Sequence, residues 1–153
     1  MSEIEIHQAE MDDLEMLLDN WVALLDSQQI HGAHLFGEPN RETARDVLSQ
    51  YISSESVLVA RTEFQMVGFV MFHVASGMYE QRVTRGIIDN VFVVKDRRDE
   101  GIGSQLLDAA EAAFADTEVD VIGISVLAAN DRARKLYEDR GYEAHRIELE
   151  RPV

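Results

Sequence analysis

The sequence predicts an α+β (mixed α/β) fold, in which helices flank a central mixed, mostly antiparallel sheet. Short β-branched runs with few residues between them fill the middle of the chain, as in antiparallel hairpins. A further apolar run follows a helical stretch, as in a βαβ unit. Helical periodicity also occurs before and after the strands, so the predicted element order is β-α-α-β-β-β-α-β-α-β.

The first half of the chain predicts one strand and two helices. Residues 4–7 alternate apolar and polar side chains, as a strand does, and residues 10–26 carry apolar side chains at helical spacing. The segment 27–39 loses this periodicity. A second helix is predicted from Asn40, a good N-cap residue, to about residue 52.

The second half predicts a hairpin, a crossover helix and a terminal helix and strand. The run at 119–127 is nearly continuous in apolar residues, which is typical of a strand buried on both faces. Gly141 is predicted to end the last helix as its C′ residue. In order, the predictions are strands at 57–61, 66–74 and 86–94, a helix at 103–114, a strand at 119–127, a helix after Asn130 and a strand at Ile147 and Leu149.

Composition favours one globular domain over residues 1–153, since 46% of the residues are hydrophobic and can form a core. The chain has no cysteine, so it has no disulfide framework and no thiol nucleophile. No apolar run approaches the roughly 18 residues of a membrane helix, and the N-terminus lacks a signal-peptide layout. We expect a cytoplasmic protein with no membrane partner.

The chain is strongly acidic, with 29 Asp and Glu against 14 Lys and Arg, a net charge of −15. This charge argues against a nucleic-acid partner, because phosphates are bound by a basic face. Two explanations of the acidity remain open. One is adaptation to high salt, where ions screen self-repulsion, and the other is a cationic substrate.

The stretch from Ile87 to Leu107 carries the clearest chemical signal, a strand followed by Arg98-Asp-Glu-Gly101-Ile-Gly103 and a helix. Glycines let backbone N–H groups crowd around a ligand. A helix N-terminus adds unpaired donors and a partial positive charge, so the turn predicts phosphate binding. Leu106 stands where a dinucleotide fingerprint needs a third glycine, and the Gly-Lys-Ser/Thr of a P-loop is missing.

Arg98-x-x-Gly101-x-Gly103 after a Val-Phe-Val-Val strand resembles the acyl-CoA signature of the GNAT (GCN5-related) N-acetyltransferase superfamily. The stretch from Asn130 to Tyr142 resembles the family's other motif, an Asn, then Leu-Tyr-Glu, then Gly-Phe/Tyr. The resemblance covers about residues 87–142. It implies acetyl-CoA as the donor and a primary amine, of a small molecule or a peptide, as the acceptor.

The resemblance also implies roles for single residues, each with a structural alternative. Tyr137 is expected to protonate the departing CoA thiolate, or it is a half-buried helix tyrosine. Asn130 is expected to contact the cofactor, or it only caps its helix. The expected cofactor-binding residues are the backbone of Val91, Phe92 and Val93, the turn residues Arg98, Asp99, Glu100, Gly101, Ile102, Gly103 and Ser104, and Asn130.

Two acids set this turn apart, since Asp99 and Glu100 stand where relatives often carry Gly, Lys or Arg. Acids beside a polyanionic cofactor weaken its binding, unless they face solvent and salt screens them. Arg97, Arg98 and the backbone amides are then expected to supply the attraction.

The acceptor ammonium must lose a proton before it attacks, so a general base is expected. Asp89 is the first candidate, because strand alternation places it on the same face as Val91 and Val93. The alternatives are that Asp89 is a solvated edge acid or a salt-bridge partner, and that a water chain replaces a dedicated base. Weaker candidates are His73, which we expect to be an ordinary strand residue, Glu80, His31 and His34; no third ligand makes the histidines a metal site.

The favoured function is acetyl-CoA-dependent N-acetyl transfer by direct attack on the thioester. A non-catalytic acyl-CoA-binding or sensing module of the same fold is the alternative, and an interaction protein without a nucleotide site is a third possibility. Polyamines, aminoglycosides and protein N-termini remain open as acceptors. A homodimer formed through sheet edges or late strands is also open.

Overall fold

The computed structural model describes residues 3–153, so residues 1 and 2 of the expected domain lie outside it. Five strands form one sheet in the order β1-β2-β3-β4-β5. The strands are β1 Glu5–Gln8, β2 Val57–Arg61, β3 Met66–Val74, β4 Arg85–Val93 and β5 Val121–Ile124. The α-helices are α1 Leu14–Gln28, α2 Arg41–Ser53, α3 Ile102–Ala115 and α4 Asp131–Asp139.

The sheet is mixed and mostly antiparallel, as the sequence predicts. β1, β2, β3 and β4 pair antiparallel in chain order, and β4 pairs with β5 in parallel. The parallel pair needs a crossover connection, and α3 supplies it. The predicted fold class and βαβ unit are therefore confirmed.

Each face of the sheet has its own apolar core. On one face, Leu18 of α1 and Leu48 of α2 pack with Phe69 of β3. On the other face, Leu106 and Leu107 of α3 pack with the neighbouring strand residues. We call these the α1/α2 face and the α3 face; Tyr137 of α4 belongs to the α3 face.

The register between β3 and β4 slips by one residue at Asp89. Met71 pairs with Asn90, whereas the next residue, Phe72, pairs with Ile88. Asp89 is therefore an extra residue in β4 with no partner in β3, which is a β-bulge.

The bulge changes the face that Asp89 occupies, because one extra residue reverses the alternation along a strand. Its carboxylate accepts a hydrogen bond from Tyr51 of α2, on the α1/α2 face. Val91 and Val93 instead pack against the α3 face. The expectation that Asp89 shares a face with these two valines is wrong, since it assumed a regular strand.

The four predicted α-helices are all present, and the last one has the predicted ends. The Asn130 side chain caps α4 by accepting from the Ala133 N–H at 3.2 Å. Gly141 follows the helix at φ 95°, in the left-handed region expected of a C′ residue. Among residues 3–153, no helix is long and apolar enough to cross a membrane.

β5 is shorter and more exposed than the apolar run at 119–127 predicts. It spans four residues, and Val121 is 42% exposed. β5 lies at the end of the sheet, with β4 on one side only. The expectation of a strand buried on both faces is therefore wrong, because a continuous apolar run does not reveal how many neighbours a strand has.

The predicted last strand does not form, so the final β of the predicted order is missing from the described chain. Residues 143–153 belong to no helix or strand. Ile147 and Leu149 are 77% and 87% exposed. Their alternation with acids fits a strand, but a strand also needs a partner, and no described residue supplies one.

Replacement of Phe69 by alanine tests the α1/α2 core. Phe69 is 0% exposed and its ring lies 6.1 Å from that of Phe92. We expect Phe69→Ala to lower the free energy of unfolding by about 3–5 kcal/mol, measured by urea denaturation, because it leaves a cavity. The matched control is Phe64→Ala, at a position that is 84% exposed; a similar loss there would contradict this packing.

Candidate functional site

β4 and β5 separate after only four residue pairs. Their parallel pairing begins at Arg85 with Val121 and ends at Ile88 with Ile124. β4 continues to Val93, held by β3 on its other side. The edge of β4 from 89 to 93 that faces β5 therefore has no strand partner in the described sheet.

Alternate peptide groups of a strand point to opposite edges, so only some β4 residues face this open edge. The Val94 amide bonds to β3, whereas the Val93 carbonyl accepts from Arg98 Nε at 3.0 Å. By alternation, Val91 and Val93 direct their peptide groups to the open edge and Phe92 directs its own to β3. The geometry thus offers Val91 and Val93 as backbone partners for a ligand, but not Phe92.

The turn between β4 and α3 presents a row of free amides. No N–H of residues 99–104 donates to a protein acceptor within the described part of the chain, and no side chain caps the helix. The backbone reaches this conformation through two positive φ angles, 65° at Asp99 and 80° at Gly101. Free amides at the N-terminus of a 14-residue helix form an anion-binding arrangement.

Gly103 leaves open space in front of these amides. A Cβ added there would meet only the Val93 side chain, at 3.8 Å. Glycine inside a helix costs about 0.5–1 kcal/mol relative to alanine, and the protein's own packing does not require it. A ligand that approaches the backbone closely would explain it.

The unusual acids of the turn are paired with arginines. Glu100 Oε2 lies 2.9 Å from Arg97 Nε, and Asp99 pairs with Arg132 of α4. The turn is therefore close to neutral locally, but Arg97 is engaged with Glu100 rather than free to attract a cofactor as expected.

Arg98, like Arg97, is engaged in contacts within the protein. Besides its hydrogen bond to Val93, its guanidinium lies 5.7 Å from the ring centre of Phe92, as in a cation–π contact. These two contacts fasten the start of the turn to the end of β4. The attraction for an anion then depends mainly on the free amides and the helix dipole.

Tyr137 lies on the α3 face, like the glycine turn, and is 9% exposed. The Tyr137 hydroxyl makes no hydrogen bond within residues 3–153. It is nevertheless not among the fully buried side-chain atoms that lack a partner, which in these residues are limited to Arg140 Nε, so the hydroxyl oxygen keeps some accessible surface. Burial raises the pKa of Tyr137 to about 12, so the phenol keeps its proton at ordinary pH.

A second polar group, absent from the sequence prediction as a unit, lies on the α1/α2 face. His73 Nδ1 is 2.7 Å from Asp89 Oδ2, and the Tyr51 hydroxyl donates to the same oxygen at 3.0 Å. Tyr51 also approaches His73 Nδ1 to 3.2 Å. Burial, then the charge and hydrogen bond of Asp89, raise the pKa of Tyr51 to about 12.

The sequence predicts Asp89 as the first candidate base and His73 only as a weaker one that is expected to be an ordinary strand residue, and it gives Tyr51 no role in the site. These three residues come from β4, β3 and α2, so only the fold brings them together. The bulge that turns Asp89 towards them leaves no sequence signal, because its residue is not a glycine or proline.

An apolar cavity of about 160 Å³ lies between α2 and the sheet and is lined in part by Trp21, Val47 and Met71. Val47 is one helical turn before Tyr51, and Met71 is two residues before His73 on the same strand face. The cavity therefore lies on the same face of the sheet as the Tyr51–His73–Asp89 group, although none of these three residues lines it.

The histidines between α1 and α2 are not part of either group. His34 Nε2 lies 2.9 Å from Glu150 of the C-terminal segment, and this hydrogen bond and charge raise the pKa of His34. His31 has no hydrogen bond that connects it to the Tyr51–His73–Asp89 group. No group of three His, Cys, Asp or Glu residues in 3–153 could hold a metal ion.

Alanine substitutions at the two turn glycines should have opposite effects on the ligand-free protein. We expect Gly103→Ala to raise the free energy of unfolding by up to about 1 kcal/mol, since alanine favours the helix. Gly101→Ala should lower it by about 1–2 kcal/mol, because its φ is 80°. Urea denaturation measures both; a loss of stability in Gly103→Ala would mean that the protein fold itself requires this glycine.

Sequence comparisons identify relatives of the chain. The family model described as "Acetyltransferase (GNAT) family" matches residues 19–142. An uncharacterized N-acetyltransferase of Bacillus subtilis (strain 168), YhfO, is 30% identical over 88 residues, which are 57% of this chain and only 58% of that protein. An uncharacterized N-acetyltransferase of Archaeoglobus fulgidus is 26% identical over 136 residues, 88% of this chain and 89% of that protein.

Solved structures share the fold. A mutant of the BH1408 protein from Bacillus halodurans has a TM-score of 0.85 at 21% identity, over 97% of this chain and 99% of that one. The aminoglycoside N-acetyltransferase AAC(6')-Iy, in complex with CoA, has a TM-score of 0.74 at 14% identity, over 99% and 96%. The family match spans most of the chain, including the glycine turn and α4. The chain therefore belongs to the acetyltransferase (GNAT) family.

Proposed function

We propose that the protein is an acetyl-CoA-dependent N-acetyltransferase that moves an acetyl group to a primary amine by direct attack on the thioester. The observation that carries the proposal is the open edge of β4, which leads directly into the free amides of residues 99–104. An extended arm ending in phosphates has the shape and charge to use both features. Family membership supports acyl transfer as the reaction class.

The residues present fit the proposed cofactor. The peptide groups of Val91 and Val93 would hydrogen-bond the pantetheine arm, as an added strand would. The amides from Asp99 to Ser104 would hold the pyrophosphate, with room left by Gly103. When bound, acetyl-CoA supplies an activated thioester carbonyl; the related fold that was solved with CoA supports this choice.

Tyr137 would protonate the departing sulfur. It lies on the same face as the glycine turn, is almost fully buried, and keeps its proton because burial raises its pKa to about 12. Transfer from such a phenol to a thiolate in water would be unfavourable. In an apolar site the thiolate is also destabilised, which raises the pKa of the thiol and so reduces the difference between it and the pKa of the phenol.

The acceptor would approach the α1/α2 face, where Asp89 supplies a negative charge for an ammonium group. Asn130 would reach the cofactor only with the part of its side chain that the helix cap leaves free. The net charge of −15 suits a cationic acceptor. Adaptation to high salt remains our companion proposal, because the acids are spread along the whole chain.

Replacement of Tyr137 by phenylalanine tests the acid role. We expect Tyr137→Phe to lower kcat by about 100-fold or more, with CoA affinity nearly unchanged, because the ring and its packing remain. Transfer to a panel of amines and calorimetric CoA binding measure the two effects. Tyr79→Phe, in a loop where Tyr79 is 85% exposed, is the control and should behave as wild type.

The same measurements separate the proposal from a sensing module. If wild type bound CoA but acetylated none of a polyamine, an aminoglycoside, an aryl-alkyl amine and a peptide N-terminus, the non-catalytic alternative would be favoured. Full activity in Tyr137→Phe would remove Tyr137 from the mechanism and leave the transferase function standing.

Replacement of Gly103 by glutamate tests the pyrophosphate position. The new carboxylate would fill the open space and repel the phosphates, so we expect CoA affinity to fall by at least about 10-fold by calorimetry. The control is Gly77→Glu, which adds the same charge at a loop glycine that also has open space around it. Equal affinity in the two variants would show that the phosphates bind elsewhere.

A further inference from the structure

We propose that His73 is the proton acceptor for the incoming amine, and that Asp89 and Tyr51 position its imidazole. This inference rests on the proposed N-acetyltransferase function and specifies a step within it. It moves the expected role of base from Asp89, which becomes a positioning residue, to a neighbour on the next strand.

The hydrogen bonds define which nitrogen of His73 is basic. An ionised carboxylate only accepts hydrogen bonds, so the 2.7 Å contact to Asp89 Oδ2 places the proton of a neutral ring on Nδ1. Nε2 then carries the lone pair. No described residue hydrogen-bonds to Nε2, and the side chain is 41% exposed. The basic atom is therefore accessible.

Tyr51 restrains the carboxylate from helix α2. Its hydroxyl donates to the same Asp89 oxygen at 3.0 Å, and its ring meets that of His73 edge-on at 6.1 Å between centres. The aspartate, only 24% exposed, is thus fixed by α2 as well as by β3. A carboxylate that holds a ring in one tautomer, and is itself held, is the arrangement that general-base histidines use.

The chemistry of the two side-chain types also favours this division. A general base works best when its reference pKa lies near the operating pH, and an imidazole, at about 6.5, is nearer to neutrality than a carboxylate, at about 4. The Asp89 carboxylate also lies next to the ring on which proton uptake would place a positive charge.

The group lies where donor and acceptor would meet. Asp89 is the first residue of β4 beyond the last pair with β5, Ile88 with Ile124. The bulge turns its side chain to the α1/α2 face, opposite the glycine turn. An amine that approaches this face would present its nitrogen to the exposed side of His73, directly or through one water, and to the open edge of β4.

The proton balance of the step is simple. Nε2 of His73 takes one proton from the ammonium, and the neutral amine nitrogen forms a bond to the acetyl carbon while the carbon–sulfur bond breaks. Tyr137 gives its proton to the sulfur. The second proton of the attacking nitrogen passes to water, Tyr137 regains a proton from water, and His73 releases its own before the next turnover.

Few other titratable groups lie near the His73 ring. From β4 and α2, the titratable groups that face the ring are Asp89 and Tyr51. β2 begins at Val57, opposite Met71. The nearest acid before that strand is Glu55, which is exposed.

The test uses His73→Gln, Asp89→Asn and Tyr51→Phe, with His145→Gln as the control because that histidine is exposed in the C-terminal segment. CoA release is followed with a thiol reagent, for which a protein without cysteine gives no background. The donor is acetyl-CoA, and the acceptors are spermidine, kanamycin, phenylethylamine and a peptide with a free N-terminus. We expect kcat to fall about 100-fold or more in His73→Gln, with acetyl-CoA affinity retained, and to stay at the wild-type level in His145→Gln.

Two readouts separate a positioning role from a merely structural one. In wild type, kcat/KM should rise with pH through the same midpoint at which the His73 imidazole titrates by NMR. The NMR spectrum of ligand-free wild type should also show the Nδ1–H tautomer, which Asp89→Asn should partly lose; Tyr51→Phe should keep the tautomer with a kcat loss of about 10-fold or less.

The outcomes distinguish this inference from the proposed function. If wild type is active and His73→Gln matches it while Asp89→Asn is inactive, Asp89 is itself the base and the inference is overturned. A ring that carries its proton on Nε2 would overturn it as well. If wild type acetylates no acceptor, the proposed function and this role both fail, whereas CoA binding and the NMR tautomer still report on the two sites separately.

Discussion

The geometry of the site depends on where the pairing of β4 with β5 stops. Beyond Ile88 and Ile124 the two strands separate, and β5 gives way to the loop that leads to the Asn130 cap of α4. Had the ladder continued to Val93, the peptide edge of β4 would be covered and no extended ligand could align with it. Because Arg98 fastens the turn to the end of β4, the open edge leads without interruption to the free amides before α3.

The charges of the glycine turn are balanced by nearby residues, although the chain as a whole is strongly acidic. The chain carries a large negative charge, yet Glu100 and Asp99 each have an arginine partner at the place where a polyanion would bind. Exposed pairs of this kind add little to stability. Their effect here is to remove repulsion, while backbone amides, which carry no net charge and do not titrate, provide the attraction.

Features that arise from local sequence were predictable, and features that need a distant partner were not. The α-helices, the Asn130 cap, Gly141 and the glycine turn each follow from residues close in sequence, and all are present. The side on which Asp89 lies depends on a bulge in the pairing with β3. The exposure of β5 and the unformed strand at Ile147 depend on neighbours that a single apolar pattern does not reveal. His73 becomes a candidate functional residue only through its contacts with Asp89 and Tyr51, which are far from it in the sequence.

The bulge at Asp89 has a consequence for the order of events in the proposed reaction. Asp89 points to one face of the sheet, while Val91, Val93 and the glycine turn lie on the other. The two substrates would therefore enter from opposite faces of the sheet and meet where β4 and β5 separate. Neither would have to leave before the other arrives. Such an enzyme forms a ternary complex: double-reciprocal plots intersect, and an unreactive amine analogue does not compete with acetyl-CoA for the free enzyme.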